Sequence, residues 1–392
     1  MQMEEAMLLK KIKPYIRTYF ERADILLLVL CTTLAVFSVF MVYRATLGMQ
    51  AAGVNISPTK SVIVQILSIG IGIAAYVVFT VIDADILGNQ WKLLCIINVL
   101  LLVALVIFGE EGDTGAKSWI RFAGIGVQPS EIIKVFYIVI SAKQMTHLKE
   151  HSNINSFWSM VQMAGHFAIV FALIVFVSDD LGSALIIAFI FIIMLFSLGV
   201  KIYWFVIAAA AVAAVVPLMW NYFLADYQKK RLIAPYAPDL VDSTGYGITW
   251  QTKQSKLTLA SGRLTGVDAN HTYTSFTGKH TDFIFSTTGE QLGMLGCLFV
   301  IALLTIIIIR CVRIALKSGR VFDMLICMGV AAAITFQTFI NIGMCIGITP
   351  VIGITLPFMS YGGSSMVTLY GAMGLVSGVK FKPKPQQFTM LY

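Results

Sequence analysis

Residues 25–42 read ILLLVLCTTLAVFSVFMV, eighteen positions without a charge, shortly after a basic stretch from Lys10 to Arg22. A basic segment ahead of an apolar one is also the pattern of a secretory signal. Signal cores, however, hold about 7–15 apolar residues and end at a small-residue cleavage site. This run is longer and no such site follows it, so it is expected to be a retained first membrane span, about 20 apolar residues being enough for a helix to cross hydrocarbon.

Working outward from the run at 24–43, comparable runs recur at 61–82, 91–108, 160–177, 181–198, 202–224, 289–310, 322–347 and 361–379, with a shorter, charged one at 130–145. Over the 392 residues, 58% are hydrophobic and 12% charged, with a mean hydropathy of +0.84, whereas soluble domains carry about 25% charged residues. The sequence therefore predicts an all-α polytopic membrane protein of about ten transmembrane helices, both termini on one side. The expected organisation is a basic N-terminus at 1–23, one transmembrane domain at 24–380 and a tail at 381–392. A long loop at 225–281 separates helices 7 and 8.

Charge sets the orientation. With the N-terminus inside, the short inner segments hold sixteen Lys and Arg, from Lys10 to Lys384, and the short outer loops hold four, Arg44, Lys60, Lys117 and Arg121. The positive-inside rule then makes both termini cytoplasmic and the 225–281 loop extracytoplasmic. The net charge of +8 forms no basic face with interleaved aromatics, so anionic lipid is the expected partner and nucleic acid is not. The six cysteines lie in or beside apolar runs without metal-ligand spacing and are read as packing residues.

Four Gly/Pro-interrupted polar segments, 109–131, 178–183, 225–282 and 348–365, all fall on the outer side. Irregular backbone at membrane depth must line a cavity or be buried in protein, so their convergence predicts a shared outer pocket. In the first segment Ser130 reads as a helix cap, and Glu131 and Lys134 share a helix face where ionisable groups are costly. They are either a structural ion pair or, with Arg121, a site for an anionic substrate. In the third, Asp282 stands beside aromatics where the long loop re-enters the membrane, as a general base or a helix cap. In the fourth, Pro350, Pro357, Gly362 and Gly363 break helical structure and leave hydroxyls and backbone N–H groups free for a phosphate or sugar, or for a flexible connector. Paired Asp179 and Asp180 are either a solvated helix start or candidates to recruit a divalent cation, Mg or Mn.

In this order, Gly115-Ala116-Lys117-Ser118-Trp119, Gln128-Pro129-Ser130-Glu131 with Lys134, Asp180-Leu181-Gly182-Ser183, Tyr227-Gln228-Lys229 with Arg231, His280-Thr281-Asp282-Phe283, and Leu356-Pro357 with Ser360-Tyr361-Gly362-Gly363-Ser364-Ser365 resemble the SEDS (shape, elongation, division and sporulation) family of the RodA and FtsW type, across nearly the whole chain. The resemblance implies an inverting glycosyltransferase that joins the disaccharides of lipid II at the outer leaflet of the bacterial cell membrane, releasing undecaprenyl diphosphate, for elongation or division. It implies Asp282 as the base, with Glu131 and Lys134 in the catalytic group. Lys117, Trp119, Arg121, Gln128, Ser130, Asp180, Ser360, Tyr361, Ser364 and Ser365 become substrate-binding candidates. It further implies a class B penicillin-binding protein and other membrane proteins of the elongation or division complex as partners.

Two departures stand out. The family's Gly-rich continuation is replaced by Arg263 to Asn270, and a Gln-Pro-Asp-Leu-Gly-Thr element appears as Ser178-Asp179-Asp180-Leu181-Gly182-Ser183. Competing readings are a flippase for a polyprenyl-linked sugar, which needs polar groups along a path to the inner face, and a non-catalytic scaffold, for which Asp282 and Lys134 would be dispensable.

Overall fold

The computed structural model describes residues 18–110, 118–122, 125–268 and 275–382. Lys117, most of the N-terminal segment and nearly all of the tail lie outside them. From the N-terminal side, α1 (Ile25–Ala51) and α2 (Pro58–Val81) form a hairpin, followed by the short α3 (Ala84–Asn89) and by α4 (Trp91–Phe108). Three short strands follow, β1 (Gly109–Glu110), β2 (Trp119–Phe122) and β3 (Ile125–Val127), paired antiparallel in chain order. Next come α5 (Pro129–His151), α6 (Phe157–Ser178), α7 (Leu181–Leu198) and α8 (Ile202–Leu218), the last running into one π-helical turn at Met219–Phe223. The long loop holds α9 (Asp226–Ile233), α10 (Pro238–Val241) and α11 (Trp250–Ser261), and the chain ends with α12 (Ile284–Lys317), α13 (Val321–Ile346) and α14 (Gly363–Phe381).

Eight of these helices are long and apolar enough to cross a membrane: α1, α2, α4, α6, α7, α8 with its π turn, α12 and α13. The chain is an all-α polytopic membrane protein. The two other runs expected to span, 130–145 and 361–379, are also helical, as the 23-residue α5 and the 19-residue α14. Their lower apolarity follows from what they bury: Glu131 and Lys134 on α5, and several glycines and serines on α14.

Small residues let two of these helices touch closely. On α14, a Cβ at Gly374 would come within 2.6 Å of the Tyr76 carbonyl on α2, the kind of backbone approach that replaces hydrophobic driving force inside a bilayer. The described part of the long loop is more ordered than its composition suggests. Its helix α11 buries Gln254, Ser255 and Thr258, and Ser255 Oγ donates 2.8 Å to the Cys345 carbonyl on α13. Helix α12 bends at Gly293, whose φ of 63° lies in the left-handed region where glycine carries no Cβ penalty.

Charges fasten the end of the bundle where α12 stops. Asp24 caps α1 and is buried, and its Oδ2 accepts from Arg310 Nη2 at 2.7 Å on α12. Arg320 donates to both oxygens of Asp85 at 2.7 Å, and Lys382 pairs with Asp83, Asp85 and Asp323.

Candidate active site

The four unusual segments meet at the other end of the bundle, around one cavity of about 660 Å³. Strand β2 contributes Trp119 and Arg121, and β3 contributes Gly126 and Val127; the turn between α6 and α7 contributes Asp179 and Asp180; α9 contributes Tyr227, Gln228 and Arg231. The turn before α12 adds His280, Thr281 and Asp282, the segment leading into α14 adds Tyr361, and the first turn of α14 adds Ser364. The volume is in the range of small-molecule pockets, about 300–1,000 Å³.

Asp180 is the structural knot of one wall. As N-cap of α7, its Oδ1 accepts from the Ser183 backbone N–H at 2.8 Å. Its Oδ2 accepts from Gln128 Nε2 at 3.2 Å, Ser130 Oγ at 3.2 Å and Ser183 Oγ at 2.7 Å. The Gln128 backbone N–H donates to Ser364 Oγ at 3.1 Å, joining α5 to α14. A carboxylate offers about four acceptor positions, and protein donors reach Asp180 once at Oδ1 and three times at Oδ2. Among the described residues no group of three or more His, Cys, Asp or Glu gathers to hold a metal. Asp179, in the left-handed region at φ 52°, turns the chain into α7 and lines the cavity.

The turn that carries Asp282 is anchored from several sides. Asn341, fully buried within α13, donates at 2.7 Å to the carbonyls of both Asp282 and Ile354. Ser360 Oγ donates to the Thr281 carbonyl at 2.7 Å and accepts from the Leu356 N–H at 2.8 Å, and the Tyr361 N–H donates to the His280 carbonyl at 3.0 Å. Beneath the turn, Lys279 Nζ sits 2.7 Å from Glu290 Oε2, with both side chains at 1% exposure or less. Burial pushes the Lys279 ammonium below its usual range, and Glu290 opposes that shift. A buried pair of this kind adds little net stability, because desolvation offsets its attraction, yet losing one partner alone is costly.

The sequence-derived residues divide between the cavity surface and its backing. Trp119, Arg121, Gln128, Asp180, Asp282, Tyr361 and Ser364 line the cavity. Ser130, Ser360 and Ser365 are buried and stand outside that lining. So do Glu131 and Lys134, which pair with each other at 2.7 Å with side chains only 6% and 4% exposed. Arg121 is half exposed and 3.6 Å from the similarly exposed Glu110. Sequence reasoning left Arg231, which stacks 5.8 Å over the Tyr227 ring, out of the site, although the Tyr-Gln-Lys-Lys-Arg run from Tyr227 to Arg231 marked the segment. It also missed Asn341 and the Lys279–Glu290 pair, which only tertiary contact reveals.

A family model described as "Cell cycle protein", covering FtsW, RodA and SpoVE, matches residues 24–384. The peptidoglycan glycosyltransferase MrdB of Escherichia coli strain K12 is 30% identical over 355 residues, covering 89% of this chain and 92% of that protein. A probable peptidoglycan glycosyltransferase FtsW of Geobacter metallireducens is 31% identical over 378 residues, covering 93% and 96% respectively. Among solved structures, a chain of a peptidoglycan synthase complex that coordinates polymerization and crosslinking superposes with a TM-score of 0.76 at 25% identity, covering 91% of this chain and 97% of that one. The rod shape determining protein RodA of Thermus thermophilus shares the fold, with a TM-score of 0.66 at 23% identity over 91% of this chain and 96% of that one.

Proposed function

The chain belongs to the FtsW/RodA/SpoVE family and is a peptidoglycan glycosyltransferase acting in cell elongation or division; from that premise we propose that its cavity joins lipid II disaccharides with Asp282 as the base. The observation that carries the reading is that a rigidly backed turn presents Asp282 to a cavity also lined by Arg121 and Arg231.

In this reaction the acceptor sugar's 4-hydroxyl gives its proton to the Asp282 carboxylate and its oxygen attacks the donor's anomeric carbon from the face opposite the diphosphate. The new C–O bond forms as the bond to the diphosphate breaks, so the anomeric centre inverts. A diphosphate is already a good leaving group and needs its growing charge neutralised more than it needs a proton. Arg121 and Arg231 supply that charge from the two sides of the cavity, with Lys117 as a further candidate. Trp119, Gln128, Tyr361 and Ser364 offer stacking and hydrogen bonding for the sugars and linking phosphates. Glu131, Lys134, Ser130, Ser360 and Ser365 act from behind, holding α5 and the segment before α14 in register. Asp180 is a positioning residue, since its oxygens are committed to the wall.

The positive-inside count supports an outer-face position for this cavity, the side on which an extracytoplasmic polymer would be made. The resemblance to a chain of a complex that couples polymerization to crosslinking supports a class B penicillin-binding protein as partner. The test is to supply lipid II to the purified protein with such a partner and resolve the products. Lengthening glycan ladders with stoichiometric polyprenyl diphosphate support polymerisation. Translocation of intact lipid II across a vesicle membrane, without ladders, would overturn it in favour of transport.

A further inference from the structure

A second cavity, of about 460 Å³, lies at the opposite end of α14 and has no part in the chemistry above. The 19-residue α14 separates the two by about 28 Å at 1.5 Å per residue. Six cations line the second cavity: Arg310, Arg313 and Lys317 on α12, Arg320 just before α13, and Lys380 and Lys382 at the end of α14. Four carboxylates answer them. Asp24 takes Arg310 at 2.7 Å and Lys380 at 3.6 Å; Asp85 takes Arg320; and Asp83, Asp85 and Asp323 take Lys382. Two positive charges are left over, and the contacts show where. Among the described residues, Arg313 and Lys317 have no ion-pair or hydrogen-bond partner, and both are exposed.

Helical spacing adds a second observation. Ile306, Ile309, Arg313 and Leu316 fall on one face of α12, and the three apolar members are 45%, 44% and 75% exposed. An apolar, outward-facing stripe thus runs along the helix and ends at the unpaired cations. Ile314 and Val379 give the cavity an apolar floor.

We propose that this cavity binds a phosphate oxyanion, carried by an anionic phospholipid of the leaflet on that side, with the headgroup against Arg313 and Lys317 and an acyl chain along the Ile306–Ile309 stripe. A phosphodiester supplies the missing negative charge. Basic pockets between membrane helices at such a boundary suit anionic headgroups, and the stripe is what a free phosphate would not need.

The test titrates short-chain phosphatidylglycerol, phosphatidylcholine and inorganic phosphate into the full chain in neutral detergent. It compares wild type with Arg313→Gln/Lys317→Gln, which alters two exposed side chains, and with a control, Lys92→Gln/Lys201→Gln, outside the cavity. Wild type should prefer phosphatidylglycerol to phosphatidylcholine, and the Arg313→Gln/Lys317→Gln variant should bind it roughly thirtyfold more weakly, from about fivefold for each basic residue near an anionic surface. The control should match wild type. Equal affinity for phosphatidylcholine, unchanged affinity in the cavity variant, or an equal loss in the control would overturn the site. Binding of inorganic phosphate but not of phosphatidylglycerol would overturn the lipid as its source.

Discussion

Replacing Lys279 with Met tests whether the turn carrying Asp282 is held from below. In the folded protein the Lys279 ammonium and the Glu290 carboxylate are 2.7 Å apart and excluded from solvent. Met matches the length of the lysine stem but removes the ammonium that sits 2.7 Å from the buried Glu290 carboxylate. Breaking one partner of a buried pair costs about 3–5 kcal/mol, whereas replacing both with apolar groups of similar size is often neutral or better. Lys279→Met should therefore destabilise by about that amount, and Lys279→Met/Glu290→Leu should recover most of the loss. The fully buried thiols of Cys31, Cys311, Cys327 and Cys345 make a thiol-reactive dye a direct reporter of unfolding. Polymerase activity should fall with the single change, because the same segment presents His280, Thr281 and Asp282 to the cavity. The reasoning is refuted if Lys279→Met unfolds within about 1 kcal/mol of wild type, or if the double variant loses the sum of the two singles, since interacting residues in contact are non-additive by about 0.5–3 kcal/mol.

Other outcomes follow from the same contacts. Asp180→Ala strips the acceptor from Gln128, Ser130 and Ser183 and should cost about 1–3 kcal/mol for the polar groups left unsatisfied, measured by thermal unfolding, with activity falling in parallel. Gly182→Ala would put a Cβ 2.8 Å from the Ile352 carbonyl, and the resulting overpacking should lower stability by about 1–3 kcal/mol. Arg121→Gln removes an exposed pair with Glu110 worth at most about 1 kcal/mol, so unfolding should hardly move while KM for lipid II rises. The loop at 242–249 should resist acid. The Thr249 hydroxyl, with the Thr244 hydroxyl and backbone N–H groups, holds the Asp242 carboxyl below its usual range. A depressed folded pKa gives stability that is complete above the ordinary carboxylate range and is lost only as pH falls through the lowered value. Hydrogen exchange of Gly245, Gly247 and Thr249 should stay protected at pH 4, and Asp242→Asn should remove that protection at neutral pH.

What could be read from the sequence was what depends on composition along the chain. Uncharged runs such as 25–42 declare a membrane helix because hydrocarbon tolerates little else, and the outer polar segments declared a cavity for the same reason. The i, i+3 spacing of Glu131 and Lys134 announced a pair but not which way that face of α5 points, and it points behind the cavity wall. The sequence places α11 inside a loop because the helix's buried face is polar, satisfied by contacts such as Ser255 to the Cys345 carbonyl that no periodicity encodes. Asn341 sits in an otherwise apolar run, and its two carbonyl acceptors come from residues 59 and 13 positions away. Lys279 and Glu290, eleven apart, would stand about 16 Å from each other within one helix, and they meet because α12 begins between them.

If Asp282 takes the acceptor proton in a cavity that is otherwise complete, wild type and Asp282→Ala should part company when compared for lipid II binding and for glycan ladders under identical conditions with the same penicillin-binding protein. Asp282→Ala should unfold like wild type, bind lipid II within about threefold, and make no ladders. Ladders of normal length and rate from Asp282→Ala would contradict that role and move the base elsewhere in the cavity.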